Sequence, residues 1–112
     1  MFKKMQTDWM LLMANLYIQQ DKFSRALCLL EAAELKAPER ADIKKALALT
    51  LLELGEARRC LAVLKSLSGQ VFTEGEKASL LLLKSRALWL DGDHDGAQRA
   101  MKRRCAVMLG IR

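Results

Sequence analysis

An internal repeat constrains the fold of this chain more than any other feature of its sequence. The stretch from Leu47 to Gly55 matches one that lies 34 residues earlier, in which Met13, Ala14, Tyr17 and Asp21 fall on Leu47, Ala48, Leu51 and Gly55. Beyond this turn, Ala26, Leu30 and Ala33 fall on Cys60, Leu64 and Leu67. A unit of this length cannot bury its apolar face alone, so consecutive units must stack on one another. The sequence therefore predicts an array of similar units.

A third unit follows the second at a distance of 37 residues, and in it Ser85, Leu88, Gly92 and Met101 correspond to Ala48, Leu51, Gly55 and Leu64. The longer spacing is assigned to the connection at residues 68–76, because a repeat array tolerates insertion between its units. Small residues at fixed places around a central turn, with a period of 34, are the signature of tetratricopeptide repeats. We therefore predict one all-α domain over residues 1–112, a short superhelix of three repeats at about 7–40, 41–72 and 73–110.

Each repeat should supply two antiparallel helices. Their predicted bounds are about Thr7–Gln20, Lys22–Lys36, Glu39–Leu54, Glu56–Leu67, Thr73–Asp91 and His94–Met108. Residues 1–6 are interpreted as a short polar lead, and Asp21 as the cap of the second helix. Thr73 and Glu76 have the spacing of a capping box, and Gly110 is the expected stop of the last helix. The third repeat is the least regular, because Lys84 stands where the pattern has a large apolar residue and Arg104 where it has a small one.

The net charge of +6 suits an anionic partner, and its strongest local source is Lys102–Arg104 with Arg99 one turn earlier. Basic residues also complement the dipole at the end of a helix, so we interpret this cluster as a solvated helix end. No aromatic residues alternate with the basic ones, which argues against nucleic acid. The longest uncharged run, Trp9 to Gln20, has 12 residues, fewer than the roughly 18 needed to span a bilayer. With no secretory signal pattern, the chain is expected in the cytoplasm and outside the membrane.

Catalysis, cofactor binding and metal binding are not expected. Cys28, Cys60 and Cys105 form no CxxC motif and have no metal-ligand spacing to His94, so we interpret them as reduced, structural cysteines. The acidic residues around His94 fall at a tight turn, and we interpret the histidine as a half-buried packing residue. No nucleophile, phosphate-binding or zinc-protease motif is present.

A partner-binding groove is the predicted functional site. In this repeat class the first helix of each pair lines a concave surface that a peptide can enter. The residues assigned to it are Leu11, Asn15, Ile18, Lys45, Leu49, Leu52, Leu82, Arg86, Trp89 and Leu90. Leu52 and Trp89 are expected on the face away from the second helix of their own pair, in contact with the partner. Lys45 and Arg86 are expected to pair with acidic partner residues.

The residues from Trp9 to Pro38 and from Ser85 to Asp93, with Asp95 and Ala97, resemble the small tetratricopeptide chaperones of bacterial type III secretion systems, and among them the SctY (YscY) type. The resemblance covers nearly the whole chain. It implies a chaperone that holds one secreted partner of the SctX type, in a 1:1 complex, and presents it to the export gate.

Other functions stay open at this point. Needle-subunit chaperones are similar in size, and translocator chaperones contain similar repeats. A different class of function is a self-associating scaffold, in which a second copy covers the apolar groove residues. A chaperone with an empty groove would form weak homodimers or aggregate, whereas a scaffold would be well behaved by itself.

Overall fold

The computed structural model describes the backbone of residues 2–70 and 72–110 and the side chains of residues 4–70 and 72–110. Six α-helices and no strand occur in this part of the chain. They are α1 (Phe2–Gln19), α2 (Phe23–Lys36), α3 (Ala41–Glu53), α4 (Ala57–Ser66), α5 (Glu74–Leu90) and α6 (His94–Met108). The predicted all-α class is confirmed. Residues 1, 111 and 112 of the predicted domain, and position 71 of the predicted connection, lie outside the described residues.

The largest difference from the predicted bounds is at the start of α1. Residues from Phe2 onward are helical, so the predicted polar lead was wrong. Lys, Met and Gln are good helix formers, and no glycine or proline interrupts them before Thr7. A polar composition alone is therefore no reason to end a helix.

The same turn joins the helices of each pair. Its central residues, Asp21, Gly55 and Gly92, have φ angles of 59°, 81° and 88°, and their spacings of 34 and 37 residues are those of the predicted repeat. After each turn residue, the next amide donates to a carbonyl five residues back, with N to O distances of 2.8, 2.8 and 2.9 Å. This hydrogen bond closes the helix end in all three pairs.

Asp21 differs from its predicted role. The start of α2 has no side-chain cap, and Lys22 occupies the capping position. Asp21 instead takes the left-handed conformation that glycine takes in the other two turns. Aspartate is one of the few residues other than glycine that tolerates this region, since its short side chain bonds locally.

Two predicted helix-end signals are confirmed. Thr73 Oγ1 accepts from the Glu76 amide at 3.2 Å, and Glu76 Oε1 accepts from the Thr73 amide at 3.0 Å. This capping box begins α5. At the other end of the chain, Gly110 has a φ of 71° just after α6, in keeping with its role as a stop.

The helices are arranged in two layers. Every helix contacts the next one along the chain, and the odd-numbered helices also contact each other, α1 with α3 and α3 with α5. Among the described helices, the backbones of the even-numbered ones do not approach one another, although the Arg59 side chain of α4 pairs with Glu31 of α2 at 3.2 Å. The odd helices therefore form one continuous layer, and the even helices pack against it.

The core lies between these layers in the first two pairs and extends to α5. Leu30, Ile43 and Leu51 are its largest fully buried apolar residues. The small residues predicted at helix crossings are all buried, with at most 2% exposure: Ala14, Ala26, Ala33, Ala48, Cys60 and Ala97. Small side chains let the helix axes approach closely at these points.

Cys60 provides a test of this packing. The side chain is fully buried, and burial raises the pKa of its thiol to about 11. Cys60→Ala should be mild, whereas Cys60→Leu should overpack the crossing and cost about 1 to 3 kcal/mol. Urea unfolding followed by circular dichroism measures both. Equal tolerance of the two substitutions would place Cys60 outside a helix crossing.

Candidate functional site

Four of the predicted groove residues lie together at the α5 end of the odd layer. Leu82, Arg86, Trp89 and Leu90 border an open hollow of about 440 Å³, which Ser85 and Met101 complete. The exposed fractions of Trp89 and Leu90 are 55% and 59%. Two large apolar side chains at the edge of a hollow form a surface that another apolar group can cover.

Trp89 is held in place by a neighbouring aromatic ring. Its indole stacks on the imidazole of His94, with 3.9 Å between the ring centroids and 22° between the planes. Such pairs contribute about 0.5 to 1.5 kcal/mol beyond the area they bury. The expectation that His94 is half-buried in packing was wrong, because it is exposed. Because His94 begins α6, Trp89 also contacts the second helix of its own pair, whereas the prediction placed it on the face away from that helix.

Leu52 does not belong to an accessible groove. Its side chain is 3% exposed and lies in the core cluster with Leu51 and Ala48. The prediction that it contacts a partner is therefore corrected. The helices packed around α3 cover more of its circumference than the repeat pattern assumed, because α3 contacts α1, α2, α4 and α5. Leu49, one turn earlier, is half-buried.

Lys45 and Arg86 are engaged within the chain rather than free for a partner. The Lys45 ammonium pairs with the Glu76 carboxylate and lies 4.9 Å from the centroid of the Phe72 ring. Arg86 pairs with Glu53 at 3.1 Å. Both ion pairs join α3 to α5, so in this structure the two cations link neighbouring odd helices. Their predicted pairing with partner residues would require these internal pairs to open.

A similar link joins α1 to α3. The Arg40 guanidinium, at the start of α3, donates to the carboxylates of Asp8 on α1 and Asp42 on α3. These hydrogen bonds raise the pKa of Arg40 above its ordinary value and lower that of Asp42. Exposed ion pairs are worth at most about 1 kcal/mol each. Their effect here is to occupy polar groups of the odd layer.

The first-pair residues of the predicted groove have mixed exposure. Leu11 and Ile18 are half-buried and pack against the core cluster. Asn15 is exposed. The predicted ten residues therefore do not form one continuous accessible surface, and the cluster around Trp89 is its most accessible apolar part.

A second apolar surface runs along α1, outside the predicted groove. We call it the α1 stripe, formed by Met5, Trp9, Leu12 and Leu16, with exposed fractions of 65%, 59%, 59% and 43%. The spacing of four, three and four residues aligns these side chains on one face of the helix. Its signal was visible in the sequence as a second apolar face on the first helix, but only the structure shows that this face is uncovered.

The residues at the equivalent positions of the other odd helices are covered by the rest of the fold. Counting 34 and then 37 residues onward, Trp9, Leu12 and Leu16 correspond to Ile43, Ala46 and Thr50 on α3, and to Leu80, Leu83 and Ala87 on α5. All of these counterparts are buried or half-buried. α3 packs on the preceding helix α2, and α5 on α4. In the described part of the chain, no helix stands in that place beside α1.

The ion pair at Glu76 gives the fold a dependence on pH. The hydrogen bonds from Lys45 and from the Thr73 backbone and side chain lower the pKa of Glu76 to about 2. A carboxylate with a lowered folded-state pKa stabilises the fold above its unfolded pKa, and this contribution is lost as the pH falls through the folded value. The window here runs from about 4.5 down to about 2.

We therefore expect Glu76→Gln to lower the melting temperature at pH 7, and the difference from wild type to shrink across this window. Glu74→Gln is the matched control. Glu74 lies in the same helical turn, but its ion pair with Lys77 is longer, at 3.5 Å, and exposed. Thermal melts at several pH values decide the result. An equal and pH-independent effect of both variants would contradict it.

Comparisons with known proteins give no assignment. A scan against protein-family models matched none of them, and a search of curated proteins found no significant match. Within the described residues, no helix has the length and apolar character needed to cross a membrane. The same residues contain no group of three or more His, Cys, Asp or Glu side chains placed to hold a metal ion.

Proposed function

We propose that this protein is a binding scaffold of tetratricopeptide-like helix pairs that acts as a type III secretion chaperone of the SctY (YscY) type. It binds an apolar segment of one secreted partner, of the SctX type, in a 1:1 complex in the bacterial cytoplasm and presents it to the export apparatus. Catalysis has no part in this role. The family assignment rests on the sequence resemblance, and the binding role rests on the surface described above.

The observation that carries the binding role is the exposure of large apolar side chains on the first and last odd helices of the described chain. Six large apolar side chains with exposures of 43% to 65% lie on α1 and α5: Met5, Trp9, Leu12, Leu16, Trp89 and Leu90. Fully burying a side chain of this kind gains about 1.5 to 3 kcal/mol relative to leaving it in water. A partner that covers several of them obtains enough free energy to compensate for the ordering that binding requires.

Two features of the fold support the repeat assignment. The three turns share their conformation and hydrogen bond at spacings of 34 and 37 residues. The odd helices form a continuous layer, as the first helices of stacked pairs do in repeat arrays. In such an array the odd layer is the surface that a peptide partner enters.

The α1 stripe provides a direct test of the binding role. Leu12→Glu places a charge in the middle of the stripe, so it should reduce recovery of the partner at least about tenfold if that surface is buried in the complex. Leu35→Glu is the matched control, because Leu35 is 86% exposed on α2, in the other layer. Tagged protein is purified from its native cytosol, and the bound proteins are identified and quantified by mass spectrometry.

The same experiment separates the alternatives. A 1:1 complex with a secreted protein, lost in Leu12→Glu and kept in Leu35→Glu, supports the chaperone. Needle-subunit or translocator chaperones would be identified by the protein that co-purifies. If the tagged chain recovers only untagged copies of itself, and light scattering gives a stable dimer that Leu12→Glu dissociates, the protein is a self-associating scaffold instead.

A further inference from the structure

The even layer contains a cleft that the binding role proposed above does not use. The backbones of α4 and α6 do not approach each other, and α5 packs against both of them. The resulting hollow has a volume of about 480 Å³. Its floor is apolar and includes Leu64 of α4, Leu80 and Leu81 of α5, and Val107 of α6. We call it the α4–α6 cleft.

The charged residues of this cleft have one sign. Lys77, Lys84 and Arg103 line it, and none of its described lining residues is acidic. Lys77 pairs with Glu74 within one turn, at 3.5 Å. Lys84 and Arg103 are exposed and have no ion pair with any residue that the structure describes. Two unpaired cations therefore stand beside an apolar floor.

The same two cations border a smaller hollow that continues along α5 and α6. Lys84 and Arg103 line it together with Arg99. Its one acidic lining residue, Asp93, accepts a hydrogen bond from the Gly96 amide at 2.9 Å and so caps α6. The positive surface thus extends over about one further turn of each helix.

The corresponding cleft between α2 and α4 differs in a way that isolates the role of Lys84. That hollow, of about 570 Å³, has Leu47 and Leu51 of α3 in its floor and Glu31, Glu34 and Arg59 among its lining residues. Arg59 pairs there with Glu31 at 3.2 Å. Lys84 is the counterpart of Leu47, 37 residues later. The departure from the repeat pattern therefore places a cation at the edge of the floor, where the preceding cleft has a buried leucine.

We propose that the α4–α6 cleft binds an acidic amphipathic segment of another protein. Leucine-like side chains of that segment cover the floor, and its carboxylates pair with Lys84 and Arg103. The charge pattern selects this occupant, because a purely apolar segment would leave the cations without partners and a basic one would be repelled. Nucleic acid fits less well, since Phe72 is the one aromatic side chain among the described lining residues and the others cannot stack on bases. The inference does not depend on the partner proposed for the odd layer.

A designed peptide tests the proposal with the intact chain. The probe is a fluorescein-labelled amphipathic helix of about four turns, ~14 residues, with leucine on one face and glutamate on the other. Fluorescence anisotropy measures its dissociation constant. We expect saturable binding that weakens severalfold when the salt concentration is raised from 0.05 to about 0.5 M, because salt screens the exposed charges. A peptide with lysine in place of glutamate should not bind.

Charge reversal in the cleft is compared with the same reversal elsewhere. The double variant Lys84→Glu/Arg103→Glu should raise the dissociation constant at least about tenfold, since two favourable pairs become repulsive. Lys65→Glu/Lys102→Glu changes the net charge equally at exposed positions outside the cleft lining, and it should have less than about a twofold effect. Circular dichroism verifies folding, and Lys84→Gln/Arg103→Gln replaces the first variant if it is unfolded.

Three results would overturn the proposal. One is the absence of saturable binding by the acidic peptide. Another is an equal loss of peptide affinity in both double variants, which would show that binding depends on the net positive charge of the chain and not on the cleft. The third is a single-stranded oligonucleotide of equal length that binds more tightly than the peptide and loses affinity only in the cleft variant, which would make the cleft a nucleic-acid surface.

Discussion

Leu52→Asp should unfold the protein. Leu52 is 3% exposed within the core cluster, so the substitution removes a buried apolar side chain and puts a carboxylate in its place. Losing a buried leucine costs about 2 to 5 kcal/mol, and burial of an unpaired carboxylate adds to that cost. Domains of this size have about 5 to 15 kcal/mol of stability in total. We therefore expect loss of most of the helical circular dichroism signal, or of the cooperative melt, at 25 °C.

Leu35→Asp is the control for this substitution. The chemical change is the same, but Leu35 is 86% exposed, so its effect on the free energy of unfolding should stay within about 1 kcal/mol. A folded Leu52→Asp variant that binds no partner would return Leu52 to the binding surface. It would also show that the packing of α3 seen here is incomplete.

Trp89→Ala should have the opposite pattern, with the fold kept and partner binding lost. The indole is 55% exposed and stacks on His94, so its truncation removes little buried area. A tryptophan buried at the centre of an interface often contributes about 2 kcal/mol or more to binding, which corresponds to at least about a thirtyfold loss of affinity. Co-purification yield and, once the partner is known, isothermal titration measure this effect.

His94→Ala and Met108→Ala complete the Trp89 series. Removing the imidazole should weaken binding less than Trp89→Ala, because the indole stays in place but loses the ring that orients it. Met108 is 61% exposed at the end of α6, and its truncation should change neither folding nor binding. Unfolding of Trp89→Ala would assign this residue to the core. Unchanged recovery of the partner would remove the hollow at Leu82 and Leu90 from the binding surface.

The positions of the helices could be predicted because their signals are local. A left-handed turn residue, a capping box and a final glycine each act over a few residues of sequence, and the turn residues also recur at the spacings of the predicted repeat. Asp21 shows the limit of this reasoning, because aspartate is suited both to capping a helix and to a left-handed turn. The start of α1 was predicted too late, because polar residues that favour helix do not contribute to the hydrophobic periodicity by which the helix was recognised.

The surface was harder to predict because exposure is decided by neighbouring helices. Leu52 and Trp89 occupy the same place in successive repeats, 37 residues apart, yet one is buried and the other exposed. α3 has odd helices on both sides, whereas α5 is the last odd helix of the described chain. Similarly, Trp9 and Ile43 occupy equivalent places, but in the described chain α3 packs on a preceding helix and α1 does not. A repeat pattern gives each residue a place in its unit, and the position of the unit in the array decides what covers it.

The contact pattern also has a consequence for how the molecule folds. Every helix touches only helices one or two places away along the chain, so forming the native contacts closes only short loops. Chains dominated by such local contacts fold fast. In the described chain, the middle pair has neighbours on both sides, and the first and last pairs have a neighbour on one side. The end pairs can therefore open separately from the middle, and the α1 stripe and the hollow at Trp89 both lie on those pairs. A partner that covers these surfaces would bind the helix pairs that open most readily. Its binding would shift their local unfolding equilibrium toward the folded state.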